Sequence, residues 1–191
     1  MQKSITNIIN QSAENFNNIS NDPNIISGIH KIVNLIVDAF QNDNKLLLCG
    51  NGGSAADAQH IAAELSGRFM KDRKPLYAEA LHVNSSYLTA VSNDYGFEKT
   101  YSRMIEASGK NGDVLLALST SGNSPNVIQA LKKANELGMK TIGFSGKHAG
   151  KMNGLCNTLL KIPSSSAARI QEAHILIGHI ICELVEETIF E

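Results

Sequence analysis

The chain has 191 residues, of which 42% are hydrophobic and 18% are charged, which is typical of one soluble globular domain. Its 17 basic and 18 acidic side chains give a formal net charge of −1, without the basic excess that is typical of nucleic-acid-binding proteins. The first residues are polar, and no apolar run approaches the ~20 residues that span a bilayer. We therefore expect a cytoplasmic protein that binds neither nucleic acid nor membranes.

Two amphipathic helices are predicted at the start of the chain. The first contains many Asn and Ser residues, so its intrinsic helix propensity is modest and it needs a packing partner. Asp22 followed by Pro23 indicates the start of the second helix, because a cap residue precedes a proline at the first helical position. The apolar positions of the two helices are Ile5, Ile8, Ile9, Ala13, Phe16 and Ile19, and then Ile25, Ile29, Ile32, Val33, Ile36, Val37 and Phe40.

After residue 44 the pattern changes to short apolar runs that alternate with helical segments. Leu46, Leu47 and Leu48 begin a continuous apolar run, which is typical of a strand buried on both faces of a sheet. Five such strands predict an α/β fold, a three-layer doubly wound sandwich in which helices cover both faces of a parallel sheet. The predicted strands are 46–49, 77–83, 114–118, 141–145 and 158–162, and the predicted helices are 55–69, 85–92, 97–107, 125–137 and 169–188.

The first predicted strand ends in a glycine-rich loop, residues 50–54, that opens a helix. Backbone N–H groups and the positive end of a helix dipole at such a position favour the binding of an anion. Gly50, Gly52 and Ala55 also match the G-x-G-x-x-A dinucleotide fingerprint, but that fingerprint expects an acidic residue at the end of the second strand, where Asn84 stands. The dinucleotide interpretation is therefore disfavoured, and a tight turn that needs glycine stays open as the alternative.

A second loop, residues 119–125, also lies between a strand and a helix, with Ser124 at the N-cap position and Pro125 in the first turn. A plain cap needs one hydroxyl, whereas several hydroxyls and free N–H groups together can bind a phosphate monoester without a lysine. The absence of a G-x-x-x-x-G-K-[ST] motif argues against a nucleoside triphosphate. We therefore predict a small phosphorylated ligand. The hydroxyl residues of this loop are Ser119, Thr120, Ser121 and Ser124.

His60 and Glu64 are four residues apart in the helix after the first loop, so their side chains share one face and can converge on a metal or a substrate hydroxyl. A surface ion pair between Glu64 and Arg68 is the alternative. In the last helix, Gln171 and His179 are eight residues apart, about 12 Å along a straight helix. Both can serve one centre only if the helix bends or a second subunit contributes, which indicates an oligomer.

Four segments of the chain resemble the phosphoheptose isomerases of the sugar isomerase (SIS) domain family, and the resemblance covers essentially the whole chain. It implies conversion of D-sedoheptulose 7-phosphate into D-glycero-D-manno-heptose 7-phosphate, the first step towards the ADP-heptose used in the lipopolysaccharide core. The segments are residues 49–54, 93–97, 119–124 and 168–174.

The resemblance also implies an architecture and an assembly. The whole chain, 1–191, would be a single SIS domain with a flavodoxin-like sheet. Residues 1–43 would be N-terminal helices used in oligomer packing, and residues 44–191 would be the α/β core with its long C-terminal helix. The implied assembly is a cytoplasmic homotetramer with its active sites at subunit interfaces.

The family's zinc site and sugar-phosphate site can be carried over to this chain residue by residue, with one Zn²⁺ in each subunit. The implied zinc ligands are His60, Glu64, Gln171 and His179. The implied substrate contacts are Asn51, Gly52, Gly53, Ser54, Glu64, Asn93, Asp94, Ser119, Thr120, Ser121, Ser124 and Gln171.

Aldose–ketose isomerisation moves a proton between C1 and C2 through an enediolate, so it needs a base, an acid and a group that stabilises negative charge. The resemblance implies Glu64 and His179 as the acid–base pair. Our hypothesis is that Glu64 moves the carbon-bound proton and His179 serves the oxygen or the ring opening, while zinc polarises the carbonyl. The reversed assignment stays open. Position 168 is polar in some members of the family and is Ala168 here, so a side-chain hydrogen bond at that point is not expected.

Two alternatives within the same family are not enzymes. One is an adaptor that associates with the bacterial replication initiator, and that branch does not retain the positions of Glu64 and His179 as acid and base. The other is a sensor of sugar phosphates, which usually comes attached to a DNA-binding domain, and this chain has no room for one. A different ketose phosphate as substrate also stays open, because loop composition does not measure sugar length.

Overall fold

The computed structural model describes residues 1–191 and confirms the two N-terminal helices, α1 (Gln2–Ser20) and α2 (Pro23–Gln41). The Asp22 carboxylate accepts a hydrogen bond from the backbone N–H of Asn24, with 2.8 Å between the two atoms. Together with Pro23 in the first turn, this cap fixes the start of α2 as the sequence predicts. α1 packs against α2 and against the C-terminal helix.

Five parallel strands form one sheet in the order β2-β1-β3-β4-β5. This confirms the predicted doubly wound α/β fold and gives it the flavodoxin-like strand order. The order reverses between β1 and β3, where Cys49 at the end of β1 lies opposite Ala117. The strands are β1 (Leu46–Cys49), β2 (Ala78–Ala80), β3 (Val114–Ser119), β4 (Lys140–Ser145) and β5 (Thr158–Lys161).

Helices cover both faces of the sheet and so make the three layers. In β1, Leu46 and Leu48 face the larger core under α2, α3 and α7, whereas Leu47 and Cys49 face the smaller core under α5 and α6. No helix combines the length and the apolar character that a membrane span requires. The remaining helices are α3 (Gly53–Ser66), α4 (Ser85–Tyr95), α5 (Thr100–Ser108), α6 (Pro125–Glu136) and α7 (Ala167–Ile189), with short 3-10 turns at Phe97–Lys99 and Gly150–Met152.

Most predicted element bounds differ from the structure by one to three residues, as in α4, which ends at Tyr95 instead of residue 92. The helix predicted over 55–69 begins at Gly53 and ends at Ser66. The strand predicted over 77–83 shrinks to three residues, because β2 is the edge strand and pairs only with β1. The helix predicted over 97–107 begins as a 3-10 turn, because Gly96, with φ +86°, breaks the chain direction just before it.

His174 of α7 is completely buried and packs against the Phe144 ring, with 5.4 Å between the ring centroids. Its Nε2 lies 3.4 Å from the Ser145 carbonyl oxygen, and its Nδ1 has no hydrogen-bond partner. Burial lowers the pKa of His174 to about 4, and the Ser145 carbonyl offsets only part of this effect. His174 is therefore a neutral core residue, as expected for a histidine on an apolar face.

The folded protein should lose stability in acid through His174. The unfolded imidazole has a pKa near ~6.5, so the unfolded chain binds the extra proton first as the pH falls. The stability contributed by the neutral ring is complete above pH ~6.5 and is lost between pH ~6.5 and about 4. We expect His174 to account for a decrease of roughly 3 kcal/mol in the free energy of unfolding across this window.

Denaturant titrations at several pH values check this expectation by comparing the wild type with His174→Gln. The Gln amide keeps a donor for the Ser145 carbonyl and does not titrate. The variant should therefore show a smaller acid-induced loss than the wild type. Parallel pH dependences for the two proteins would contradict the assignment.

Candidate active site

Two loops meet where the strand order reverses, at the carboxyl ends of β1 and β3. Residues 50–52 connect β1 to α3, and residues 120–124 connect β3 to α6. Each loop leads directly into a helix N-terminus, where unpaired backbone N–H groups point towards a ligand. A doubly wound sheet binds its ligands in this position, so the fold brings the two loops of predicted phosphate contacts together.

The loop after β1 depends on glycine and on a buried tyrosine. Gly52 has φ +56° and forms the N-cap position of α3. A Cβ at Gly53 would lie 2.6 Å from Nε2 of Gln171, so the bare backbone lets the Gln171 amide approach the first turn of α3. The hydroxyl of Tyr101 donates a hydrogen bond to the Gly50 carbonyl and fixes the loop to α5.

Asn51 and Asn126 couple the two loops directly. Each side-chain amide donates to the carbonyl oxygen of the other, at 2.9 Å in both directions. Asn126 is buried in the first turn of α6, so this amide pair ties the first loop to the helix that follows the second loop. No periodic pattern predicts this contact, because the two residues are 75 positions apart in the sequence.

In the second loop, two hydroxyls pair with each other and a third contacts the loop backbone. Ser124 occupies the predicted N-cap position, but its side chain caps no N–H of α6. Its Oγ instead lies 3.0 Å from Oγ of Ser119, so the predicted cap is replaced by a hydroxyl pair. The Ser121 hydroxyl accepts a hydrogen bond from the backbone N–H of Asn123 at 3.2 Å. The half-buried Thr120 side chain completes the set of hydroxyls at this helix N-terminus.

Asn93 and Asp94 lie in the last turn of α4, exposed, with 2.9 Å between Nδ2 of Asn93 and Oδ1 of Asp94. The chain then turns back, and Phe97 and Glu98 line a shallow pocket beside the two loops. The other residues of this pocket are Asn51, Ser124, Pro125 and Asn126. Asn93 and Asp94, which are predicted substrate contacts, are therefore joined to the two loops by the residues that follow them, Phe97 and Glu98.

His60, Glu64 and His179 form a cluster suited to a metal ion, with one ligand atom from each residue and all three atoms within 4.8 Å of one another. Nε2 of His60 lies 3.0 Å from Oε1 of Glu64 and 3.4 Å from Nε2 of His179. Tetrahedral zinc with bonds of about 2.0–2.1 Å separates its ligands by roughly 3.3 Å. The spacing and the two-nitrogen, one-oxygen donor set therefore fit zinc.

Gln171 lies apart from this cluster in the same chain. It contacts Gly53 at the start of α3, whereas His179 meets His60, seven residues further along that helix. The eight-residue spacing of Gln171 and His179 thus places them at two levels of the parallel helices α3 and α7. The structure brings three of the four predicted zinc ligands together.

The alternative ion pair of Glu64 with Arg68 does not form, because the Glu64 carboxylate faces His60 instead. Arg68 is exposed and takes part in no ion pair.

Comparison with known proteins agrees with this geometry. Residues 9–146 match the SIS domain family. A phosphoheptose isomerase of Clostridium acetobutylicum is 50% identical over 182 residues, covering 95% of this chain and 93% of that protein. The chain belongs to the phosphoheptose isomerase family. Among solved structures, the phosphoheptose isomerases of Neisseria gonorrhoeae and Francisella tularensis superpose with TM-scores of 0.91 and 0.93, at 40% and 33% identity, and each comparison covers 97% of this chain and 98% of the other.

The candidate active site contains further residues that the sequence pattern did not single out. Phe69 stacks on the His179 ring, with 5.9 Å between the centroids and 28° between the planes. Asp57 is half-buried on α3, and its Oδ2 has no partner. Burial raises the pKa of Asp57 to about 6, and His60 offsets part of that rise. Asp57 could have been found from its spacing of three and seven residues to His60 and Glu64.

Gly122 is the glycine on which the second loop depends most. Its φ is +65°, and a Cβ there would overlap the carbonyl group of Ala149. Gly154 also has a positive φ, +82°, but a Cβ there meets nothing within 4 Å. Gly154→Ala should therefore lower the free energy of unfolding by about 1–2 kcal/mol through backbone strain alone. Gly122→Ala should lower it by at least about 2 kcal/mol more, because a backbone carbonyl must move.

Urea titration of the two variants measures this difference. Equal losses for Gly122→Ala and Gly154→Ala would mean that the Ala149 carbonyl does not confine the loop of the isomerase.

Proposed function

We propose that this protein isomerises D-sedoheptulose 7-phosphate to D-glycero-D-manno-heptose 7-phosphate through an enediolate. The observation that carries the proposal is the convergence of His60, Glu64 and His179 in a chain that shares half of its residues with a phosphoheptose isomerase. A carboxylate and an imidazole at one point supply the acid and the base that the reaction needs.

The phosphate is bound, in this proposal, by the two loops at the helix N-termini. Asn51, Gly52 and Gly53 offer backbone N–H groups, whereas Ser54 would contribute its hydroxyl, because its own N–H donates to the Asn51 carbonyl at 3.0 Å. The other hydroxyls come from Ser119, Thr120, Ser121 and Ser124. Gln171 beside Gly53, together with Asn93 and Asp94, would contact the sugar hydroxyls. No lysine or arginine is needed, because helix N-termini and hydroxyls together stabilise a phosphate monoester.

The distance between the phosphate loops and the proton-transfer groups supports a long sugar chain. Gly53 and His60 are seven residues apart on α3, roughly 10 Å along the helix axis. An extended chain advances about 1.2 Å per bond, so a seven-carbon sugar with a terminal phosphate ester spans roughly 9–10 Å between C1 and the phosphate. A triose phosphate would span about half of this distance.

Proton transfer is assigned to Glu64 and His179. The Glu64 carboxylate removes the proton from one of the carbons C1 and C2 and returns it to the other, with an enediolate between the two steps. The His179 imidazole holds and moves the proton on the sugar oxygens and assists ring opening. Phe69 covers one face of the His179 ring and limits the access of water to it.

Zinc is the metal we propose, bound by His60, Glu64 and His179 in each subunit, with Gln171 as the fourth ligand in the assembled oligomer. Zinc held by these residues would supply a Lewis acid for the substrate carbonyl. The 3.0 and 3.4 Å separations of the three ligand atoms support this assignment.

We also propose a cytoplasmic homotetramer in which residues 1–43 pack between subunits. Ile5, Ile8 and Ile9 of α1 are each more than half exposed, and they follow one another at helical spacing. Burial of such a stripe by neighbouring copies would explain why a helix of modest propensity is retained. The three free cysteines are in keeping with a reducing compartment.

Glu64→Gln should abolish isomerisation, because the amide has nearly the same size but cannot accept the carbon-bound proton. The assay incubates the protein with sedoheptulose 7-phosphate in deuterated water and follows the aldose phosphate and deuterium at C2 by NMR. We expect a loss of at least ~100-fold in kcat for this variant. The exposed Glu106→Gln serves as the control and should retain wild-type kcat. Substantial activity of Glu64→Gln would exclude Glu64 as the base, and an inactive wild type with zinc added would refute the isomerase itself.

His60→Ala should weaken zinc binding by roughly tenfold or more, because removal of even an outer-shell partner weakens metal affinity by 10–100-fold. Competition of the protein with a chromophoric chelator measures the affinity. His30→Ala is the matched control, since the exposed His30 ring contacts only Asn34 on α2. Equal zinc affinity of the two variants would contradict the proposed ligand set.

A further inference from the structure

Arg73 and Glu186 form a buried ion pair beside the candidate active site. Nε of Arg73 lies 2.7 Å from Oε2 of Glu186, and the two side chains are 2% and 1% exposed. Arg73 belongs to the connection between α3 and β2, and Glu186 lies in the last turn of α7. An ion pair this deeply buried is stable only if hydrogen bonds satisfy its remaining donors and acceptors.

The Glu186 carboxylate binds three consecutive backbone N–H groups in the connection that follows α3. It accepts hydrogen bonds from the N–H groups of Phe69 at 3.1 Å and of Met70 and Lys71, both at 2.7 Å. Burial alone would raise the pKa of Glu186, but these three donors and Arg73 lower it below its usual range. Glu186 is therefore ionised when it binds the backbone of this connection.

The Arg73 guanidinium binds the backbone at the end of α3. Its NH2 group donates to the Glu64 carbonyl at 3.0 Å, and its NH1 group donates to the Leu65 carbonyl at 2.9 Å. These carbonyls belong to the last turn of α3, which an α-helix leaves without intrahelical partners. Arg73 thus fixes the backbone of the residue whose side chain is the proposed base.

The same ion pair is also linked to His179, through Phe69. Glu186 holds the N–H of Phe69, and the Phe69 ring stacks on the His179 imidazole. His179 itself lies two turns before Glu186 on α7, at seven residues' separation. One buried pair therefore has a chain of direct contacts to each of the two proposed proton-transfer residues.

We propose that Arg73 and Glu186 are positioning residues, which set the separation of Glu64 and His179 by clamping the end of α3 to α7. This inference rests on the proposed function. A purely structural pair would stabilise the fold without affecting the chemistry of the folded protein. A positioning pair affects the rate, because a misplacement of about 1 Å can lower it by 10²-fold.

The test compares Glu186→Gln and Arg73→Lys with Asp113→Asn in the zinc-loaded protein. Asp113 is a matched control, because its fully buried carboxylate accepts from Nζ of Lys45 at 2.6 Å and from the N–H of Lys110 at 2.8 Å. It lies at the amino end of β3, away from the loops at the carboxyl ends of β1 and β3. Arg73→Lys keeps the charge but loses the planar fork that reaches two carbonyls, so it should remain folded. Circular dichroism selects a temperature at which all variants are folded.

We expect Glu186→Gln and Arg73→Lys to lower kcat by ~10–100-fold with KM changed by less than about twofold, because the phosphate loops stay intact. Asp113→Asn should lower the melting temperature and leave kcat unchanged. The proposal is overturned if Arg73→Lys, folded, retains kcat within about twofold of Asp113→Asn.

Zinc affinity separates a failure of this inference from a failure of the proposed function. If the wild type does not convert the sugar phosphate, the isomerase proposal fails, and the chelator competition alone then decides the positioning role. Weaker zinc binding by Arg73→Lys than by Asp113→Asn supports the positioning role, because the Arg73–Glu186 pair would align His60 and Glu64 with His179. Equal zinc affinity in that case overturns it.

Discussion

The close parallel packing of α3 against α7 determines the geometry of the whole candidate active site. A Cβ at Gly178 would lie only 2.5 Å from Cδ1 of Ile61, so the bare Gly178 backbone gives the Ile61 side chain the room that lets the two helices pack closely. At this level His60 and Glu64 face His179, and two turns earlier Gly53 faces Gln171. A wider separation of the helices would disperse the metal cluster and the sugar contacts together.

The loops at the ends of the strands form the second half of the candidate site. The two halves differ in the chemical groups that they present. The loops at the ends of β1 and β3 present N–H groups and hydroxyls, which suit a phosphate dianion. The α3–α7 contact presents imidazole and carboxylate groups, which suit a metal and proton transfer. The reciprocal amide pair of Asn51 and Asn126 ties the first loop to the start of α6, so a phosphate bound there would keep a fixed distance from the α3–α7 contact.

Local periodicity predicted the elements of this fold, because apolar runs and helical stripes report burial within one segment. It also predicted the His60 and Glu64 pair, which share a helix face. Local periodicity could not predict which residues of the site form hydrogen bonds with one another. Arg73 and Glu186 are 113 residues apart, and Ser124 turns its hydroxyl to Ser119 although its N-cap position was predicted correctly. These pairings depend on which elements the tertiary fold brings together, and neither spacing nor propensity encodes that.

A polar clamp at the end of α3 has a physical reason beyond catalysis. Helices commonly end in a left-handed glycine that satisfies their last carbonyls, but Gly67 at the end of α3 has φ −89° and donates only to the Ala63 carbonyl. The Leu65 carbonyl also accepts from the N–H of Leu76 at 3.1 Å, but the Glu64 carbonyl needs another donor, and the Arg73 fork provides it. An apolar pair of similar volume can replace many buried ion pairs without loss of stability. Here it would leave the Glu64 carbonyl without its donor in the turn that carries the proposed base, which explains the arginine at this position.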